Sequence, residues 1–562
     1  MKTKIFKYSF ILLITIFSGC SESILNEKPV SIMTAESLYK NLEGFEAGLN
    51  GLYALIQEER NGGYGAADDD GTRLDFAMVG TDIIQTSNSA GFGAYTELWG
   101  VNLSPENSNL EGVFLWLYKI NNAANTIIAR AQNPDVVWGG LPDVNRNRVI
   151  AEAKTMRAWA YRHLTYAWGA VPLILDESSG TTIKLDYERT PIPKIREQMR
   201  SDLLFAEKYV PVEPSMQGRM TKGAVQTYLA ELYLLLNKPD SAIIFADKVI
   251  AGYPLITSRY GVNKTKPGTP FSDMFLDGNS NREEGNTEAL WVFQYDLLLT
   301  AANQENWMRR QVTTRYDNSV SGSQFPITVE RGGRGRARIA LTKFAIDLYE
   351  PANNFGPKDD RGSNYILRKY MIYQNSATNS LGATTIVPDD VKPAGRNFGD
   401  TLKFDWSVDF VTGSSSFRYR WPWSRKFDNT DGANLQIANT TNDQVYLRSA
   451  EAYLLKAEAQ SNKGDKAGAA TTINIIRARA NAAPITAANV NVDFILDERA
   501  RELVYEEHRR YTLLRAHKWL QRTSAYNKNG GQFATARDTI YPIPLSFIQA
   551  NLTVPMPQNP GF

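Results

Sequence analysis

Two stretches of this chain, far apart in sequence, carry the same helix–turn–helix pattern, and that repetition limits the fold more than any other feature. Residues 224–236 have helical periodicity, Asn237-Lys238-Pro239-Asp240 forms a turn, and 241–251 is periodic again. The same order returns as 446–461, Asn462-Lys463-Gly464-Asp465 and 466–481. The two N-K-x-D turns align, so that Leu229 corresponds to Leu454 and Ala242 to Ala467. Pro or Gly in the turn stops the first helix, and Asp can cap the second. Alanine and leucine at the contacts suit helices that pack closely against each other.

Helical periodicity also covers 34–56, 112–131 and 145–168, where apolar residues recur at three- and four-residue steps. In 34–56 these are Leu38, Leu42, Phe45, Leu49 and Leu52; in 145–168 they are Ala153, Met156, Ala160, Leu164 and Ala167. Segments 145–168 with 194–210, and 495–508 with 510–520, extend the same scaffold. Such units resemble tetratricopeptide repeats, whose stacked pairs form a superhelix. Between 253 and 442 the texture changes. Gly, Asn, Ser, Thr and Pro become frequent, aromatic residues are scattered, and 289–295 (ALWVFQY) reads as a short strand. The expected fold is mainly α: an α-superhelix of tetratricopeptide-like helix pairs with a loop-rich insertion containing short strands. Polar loops on a rigid frame are where binding residues concentrate, so this insertion, with the loops between Glu59 and Glu106, is the expected functional face.

The chain starts with Lys2, Lys4 and Lys7, then an apolar run from Tyr8 to Phe17, then Ser18-Gly19-Cys20. That order reads as a secretory signal, and the run is too short to span a bilayer, which takes about 20 apolar residues. A cysteine directly after Ser-Gly resembles a bacterial lipobox, with Phe17 where Leu is usual, so Cys20 is the expected lipidation site and mature N-terminus. It is the only cysteine in 562 residues, which leaves no disulfide framework and no cysteine metal site. Loss of residues 1–19 removes three of 62 basic residues and leaves a near-neutral chain against 60 acidic ones. Near neutrality gives no global attraction for nucleic acid. The expected organisation is a signal peptide at 1–19, a lipid-anchored tether at 20–35, and an N-terminal helical scaffold with the first repeat pairs at 36–252. The loop-rich insertion follows at 253–442, then C-terminal helical pairs and a closing segment at 443–562.

Several motifs follow in a fixed order. Leu25-Asn26-Glu27-Lys28-Pro29 comes after the cysteine, and AEAKTMRAWAYRHLTYAWGAVPLILDE begins at Ala151. Arg189-Thr190-Pro191, Gly218-Arg219-Met220-Thr221-Lys222 and Val445-Tyr446-Leu447-Arg448-Ser449-Ala450-Glu451 come next. The helix Ile495-Leu496-Asp497-Glu498-Arg499-Ala500-Arg501-Glu502 and the ending Pro557-Gln558-Asn559-Pro560-Gly561-Phe562 close the set. Together these resemble SusD-like (SusD/RagB) nutrient-binding lipoproteins nearly end to end. The resemblance implies a lipid-anchored protein at the outer surface of a Gram-negative outer membrane. It also implies a ligand that is a glycan or other oligomeric nutrient, and a partner that is a SusC-like TonB-dependent transporter. No cofactor or metal is implied.

Sugars stack their C–H faces on exposed aromatic rings and offer hydroxyls to Asn, Asp, Gln and Arg. Trp99 with Asn102 is the first candidate, since the resemblance implies ligand-binding aromatics in this neighbourhood; packing of Trp99 against the following helix is an equal reading. Trp307, Trp406, Trp421 and Trp423 supply one or two further contacts, whereas Trp116, Trp159, Trp168 and Trp291 read as core. The run Arg331-Gly332-Gly333-Arg334-Gly335-Arg336-Ala337-Arg338 has two readings. Its arginines, Arg334 and Arg336 among them, either bind an acidic glycan through guanidinium forks or pair with Glu330, Asp347 or Asp360, the reading that leads. Asp68-Asp69-Asp70-Gly71 lacks the ligand spacing of a calcium loop. The three histidines, His163, His508 and His517, lie in helical segments, and no hydrolase or nucleotide-binding motif is present. A binding protein is therefore expected rather than an enzyme. A secreted glycan-cleaving enzyme, which needs only two carboxylates, and a helical scaffold for peptide or protein are the alternatives.

Overall fold

A computed structural model describes residues 34–61, 71–87, 99–179, 184–214, 216–296, 306–319, 322–376, 388–409, 418–428, 435–437, 440 and 442–562. Among the described residues six long helices build the first half: α1 (Leu42–Gln57), α2 (Ser108–Arg130), α3 (Pro142–Trp168), α4 (Ile192–Tyr209), α5 (Lys222–Leu235) and α6 (Pro239–Gly252). A short helix in the insertion, α7 (Met308–Val312), precedes the second half. That half contains α8 (Ala450–Asn462), α9 (Lys466–Arg479), α10 (Val492–Leu503), α11 (Arg509–Arg515) and α12 (Trp519–Tyr526).

The long helix α3 organises the first half. Pro142 starts it, where a missing N–H costs nothing, and Gly169 at φ 74° ends it. From Val149 onward nearly every residue is buried, so this helix is enclosed on all sides. Its charged side chains consequently carry dedicated partners. Arg157 forms a two-pronged pair with Asp202 of α4 at 2.8 Å, and Arg162 does the same with Glu231 of α5 at 2.6 and 3.0 Å. The α5–α6 and α8–α9 pairs lie side by side, with α6 packed on α8. Lys456 bonds Asp247 at 2.6 Å, and Lys463 from one turn reaches Asp240 of the other. The two repeat units are thus direct neighbours. Their turns differ in detail: the left-handed residue is Asn237 in the first and Gly464 in the second.

Periodicity located the helices but misplaced several ends. The expected helix 34–56 breaks after Leu38, because Asn41 caps a new start by accepting from Gly44 N–H at 2.9 Å. Residues 446–448, expected to be helical, are instead the end of a strand. The helix expected at 495–508 stops at Leu503; Tyr505 has φ 62°, and His508 lies outside it, just ahead of the first residue of α11. His517, at φ 55°, lies in the turn before α12 rather than in a helix.

Among the described residues eight short strands form four antiparallel pairs, two of which tie the insertion to segments outside it. Strand β1 (Ile84–Thr86) pairs with β3 (Ile339–Leu341), and β2 (Ala289–Phe293) with β8 (Gln444–Arg448). Strands β4 (Leu367–Arg368) and β7 (Trp423–Ser424) form the third pair, β5 (Tyr370–Ile372) and β6 (Thr401–Lys403) the fourth. The insertion has its own apolar cluster, which includes Met78, Val312, Leu341, Phe404, Trp421, Trp423 and Tyr505. Beneath it, α10 carries a buried ionic lattice. Glu498 is engaged by Arg361, Arg477 and Arg501, and Glu502 by Arg361, Arg448 and Arg479. Lys426 of the insertion donates to the Glu502 and Val504 carbonyls at 2.9 and 3.2 Å. None of the described helices is long and apolar enough to cross a membrane. Cys20 and Asp68 to Asp70 lie outside the described residues.

Candidate functional site

Three chain segments of the insertion are laced together at one face. Arg315 N–H donates to the Arg418 carbonyl at 3.1 Å, Arg336 N–H to Arg310 at 3.0 Å, and Ala337 N–H to Thr313 at 3.0 Å. The Arg418 guanidinium adds two bonds to the Arg336 carbonyl, at 3.2 and 3.0 Å. Glycine makes the close approach feasible, since a Cβ on Gly335 would stand 2.0 Å from the Thr313 carbonyl oxygen. Gly332 and Gly333 hold positive φ, and Ala337 does so at φ 50° without glycine's freedom. Strained backbone of this kind persists only where its surroundings enforce it.

The frame brings Arg310, Arg315, Arg334, Arg336 and Arg418 to one half-exposed surface with Trp307 and Tyr419. The Arg310 guanidinium lies 4.2 Å from the Trp307 ring centre, and that of Arg315 lies 5.9 Å from Tyr419. Both distances are in the range of cation–π attraction. Burial depresses the Arg336 pKa first, and neighbouring Arg334, Arg310 and Arg315 depress it further; Asp317 alone pulls the other way. Arg418 is lowered by burial and by Arg315. Beneath the surface, burial lowers Arg309 to about 10.

The expected site residues divide. Trp307, Arg334 and Arg336 belong to this face. Trp406 is half-buried on the loop after β6, packed against the insertion's apolar cluster, with Lys369 6.0 Å from its ring; no described contact joins it to the arginines. Trp99, expected as a stacking platform, is fully buried edge-on against Trp519 at 5.4 Å. The backbone carbonyl of Asn102 accepts from Asn107 at 3.0 Å, in the turn before α2. Trp421 and Trp423 are also core: Trp421 Nε1 donates to the Leu341 carbonyl at 2.8 Å, and Trp423 stacks on Tyr316 at 5.8 Å. For these three tryptophans the structure removes the exposed ring a sugar would need. The pairing expected for the arginine run holds for one member with a different partner, as Arg331 is buried on Asp390 at 2.6 Å. Arg334 donates to the Gln436 carbonyl at 3.2 Å.

Arg310, Arg315, Arg418 and Tyr419 were missed by sequence reasoning. Their signal was an alternation of cationic and aromatic residues, as in Trp307-Met308-Arg309-Arg310 and Arg418-Tyr419-Arg420-Trp421.

Two other places bear comparison. A surface cleft is lined by Glu213, Met216, Arg219, Arg282 and Trp291, but its cations are committed: Arg219 to Glu152 and Glu46, Arg282 to Glu213. Glu59, His163 and His508 converge deep in the helical core, with ligand atoms within 4.8 Å of one another. His508 Nε2 and Glu59 are 2.7 Å apart, and His163 Nδ1 and Tyr511 OH 2.8 Å. Burial lowers the pKa of both histidines; the Glu59–His508 bond ties the end of α1 to the α10–α11 link, and the His163–Tyr511 bond ties α3 to α11.

Comparison with known proteins gives consistent matches. Residues 267–562 match the profile described as "SusD family", and residues 84–234 one described as "Starch-binding associating with outer membrane". The chain is 24% identical to "SusD-like protein P2" of Formosa agariphila over the full length of both. Among solved structures, a SusD homolog from Bacteroides thetaiotaomicron superposes with TM-score 0.71 at 18% identity, over 94% of this chain and 98% of that one. A structure titled "Laminarin binding SusD-like protein" superposes with TM-score 0.65 at 20% identity, covering 93% of this chain and 100% of the other. These structural likenesses establish the shared fold.

Proposed function

This chain belongs to the SusD family, and we propose that it is a surface lipoprotein that captures glycan on the face formed by Trp307, Tyr419 and their arginines. In this reading Cys20 carries the lipid that holds it to the outer membrane, and the captured oligomer passes to a SusC-like TonB-dependent transporter. The observation that carries the proposal is a pair of half-buried aromatic rings, each with a guanidinium within about 6 Å of its centre, on a frame fixed by inter-segment hydrogen bonds. Rings give a sugar an apolar platform, and guanidinium forks give its oxygens donors of fixed direction. Rigidity matters because loops ordered beforehand do not have to be ordered on binding.

Binding without cleavage suits the local charges. A glycosidase needs two carboxyls on opposite sides of the scissile bond. Near this face Asp428 is engaged by Arg425 and Arg368, and Asp390 by Arg331. Asp317 is the acid whose charge reaches Arg336. The neighbour titled as laminarin-binding supports glycan as the ligand class.

The test is native affinity electrophoresis of the chain from residue 21 onward, which retains every described element, in gels loaded with neutral and acidic polysaccharides. At least one glycan should retard the protein, and Trp307→Ala should weaken that retardation about tenfold, as expected for losing a stacked ring of roughly 1–2 kcal/mol. Retardation untouched by that substitution in a normally folded protein would place the site elsewhere.

A further inference from the structure

Many arginines elsewhere in this molecule are matched to carboxylate, with buried exceptions such as Arg60 and Arg510, which donate to backbone carbonyls. Arg331, Arg361, Arg448, Arg477, Arg501 and Arg509 each reach a buried Asp or Glu within 3.0 Å. The face around Trp307 differs in gathering several arginines close to one another. Among the described residues no carboxylate forms an ion pair with Arg315, Arg334, Arg336 or Arg418. The side chains of Arg334 and Arg418 donate to backbone carbonyls, which satisfy hydrogen bonds but not charge. The Nε atoms of Arg315, Arg334 and Arg336 are buried without a hydrogen-bond partner.

Like charges held at close range repel, and here the backbone enforces their proximity through bonds between residues 310, 313, 315, 336, 337 and 418. The whole chain is close to neutral, so this is a local concentration of positive charge. A cationic surface whose guanidiniums are held in place is matched by a ligand bearing spaced oxyanions. Carboxylates and sulfate esters both accept two parallel N–H bonds from a guanidinium, a geometry that an ammonium cannot reproduce.

We infer that this face selects anionic glycan, with uronate carboxylates or sulfate esters seated on Arg334, Arg336 and Arg315 while a sugar ring stacks at Trp307. The inference rests on the glycan-binding reading above and adds a substrate class to it. Neutral glycan offers hydroxyls, which cannot offset the mutual repulsion of the guanidiniums. Anionic glycan neutralises it and gains a charge-assisted bond at each fork.

The experiment is isothermal titration of the chain from residue 21 onward with matched pairs of polymers. One pair is a sulfated galactan and its desulfated form; the other is a polyuronate and its carboxyl-reduced form. Laminarin serves as the neutral reference, and anionic phospholipid vesicles as the non-glycan polyanion. The expected result is binding to one or both acidic polymers that falls at least about tenfold on removal of the acidic group. Affinity should also fall as salt rises from about 0.05 to 0.5 M, because screening shortens the reach of the charges. The two pairs separate sulfate from carboxylate recognition. Arg334→Gln and Arg336→Gln, both at half-exposed positions, should each reduce affinity about tenfold, and Arg336→Lys should restore only part of it.

Three results would overturn the inference alone. Binding to neutral glycans that equals or exceeds binding to their acidic partners would do so, while leaving the capture of glycan intact. Retained affinity in both glutamine variants, with unchanged melting temperature, would show that the arginines make no contact. Tighter binding to the lipid vesicles than to any glycan would assign the patch to the membrane. Failure to bind every glycan, neutral and acidic, would bring down the proposed function along with it.

Discussion

Buried carboxyls carry much of the acid sensitivity of this protein. Burial alone would raise the pKa of Glu498, yet Arg361, Arg501 and Arg477 outweigh it and hold the group at about 2 against 4.5 when unperturbed. Glu231, clamped by Arg162 and Arg515, and Asp82, clamped by Arg509 and Arg522, are likewise held at about 2 against burial. Each binds its proton more weakly in the folded chain than in the unfolded one, so the unfolded chain takes up protons first as pH falls. The associated stability is fully present above about pH 4.5 and is lost toward pH 2, on the order of 3 kcal/mol for Glu498 alone. His163 and His508, lowered by burial from 6.5, remain neutral in the fold and add an earlier, shallower loss that begins below that pH. Thermal midpoints measured across pH should therefore decline gently below 6.5 and steeply below 4.5. A midpoint that stays flat between about pH 5 and pH 3 would contradict the ionic assignments.

At the scale of elements, the site depends on how closely the arginine loop lies on the segment after α7. Gly335→Ala places a methyl group 2.0 Å from a backbone oxygen that cannot turn aside. The substitution should lower stability by roughly 1–3 kcal/mol, as overpacking does, and weaken glycan binding in step. Gly252→Ala, at the end of α6 with nothing within 4 Å, should be neutral or stabilising by up to about 1 kcal/mol. Paired thermal melts check both; equal effects would show that the close approach is not structural. Element type was largely legible from periodicity because a helix writes its pattern into consecutive residues. The reading 112–131 became Ser108–Arg130, and 289–295 became Ala289–Phe293. Residues 446–448 misled for the opposite reason. Their strand is decided by pairing with Ala289–Phe293, a partner that no local window contains. The tryptophans failed similarly, since a polar, arginine-rich neighbourhood such as that of Trp421 and Trp423 gives no sign that both rings are covered from a distance.

Over the whole molecule, a solenoid of helix pairs holds an insertion whose strands reach back to both halves of the frame, through β1–β3 and β2–β8. The insertion is therefore clamped at several points, and its loops can present arginines in one arrangement. Its ion pairs follow the same division of labour: matched and buried beneath, as between Lys426 and Glu506, while among the described residues Arg315, Arg334, Arg336 and Arg418 at the face join no ion pair. The ordered motifs from Ala151 to Phe562 were enough to identify the family resemblance, and the repeat gave the architecture. The site was legible only in part. Trp307, Arg334 and Arg336 were within reach because they stand in conspicuous company, whereas Arg315, Arg418 and Tyr419 join them only through the folded chain. The most direct test of the account is hydrogen exchange of the chain from residue 21 onward, with and without a saturating glycan. Slowed exchange concentrated in 306–319, 334–338 and 418–420 is the predicted result. Protection confined to the cleft at Glu213, Met216 and Arg282, with those segments unchanged, would contradict it.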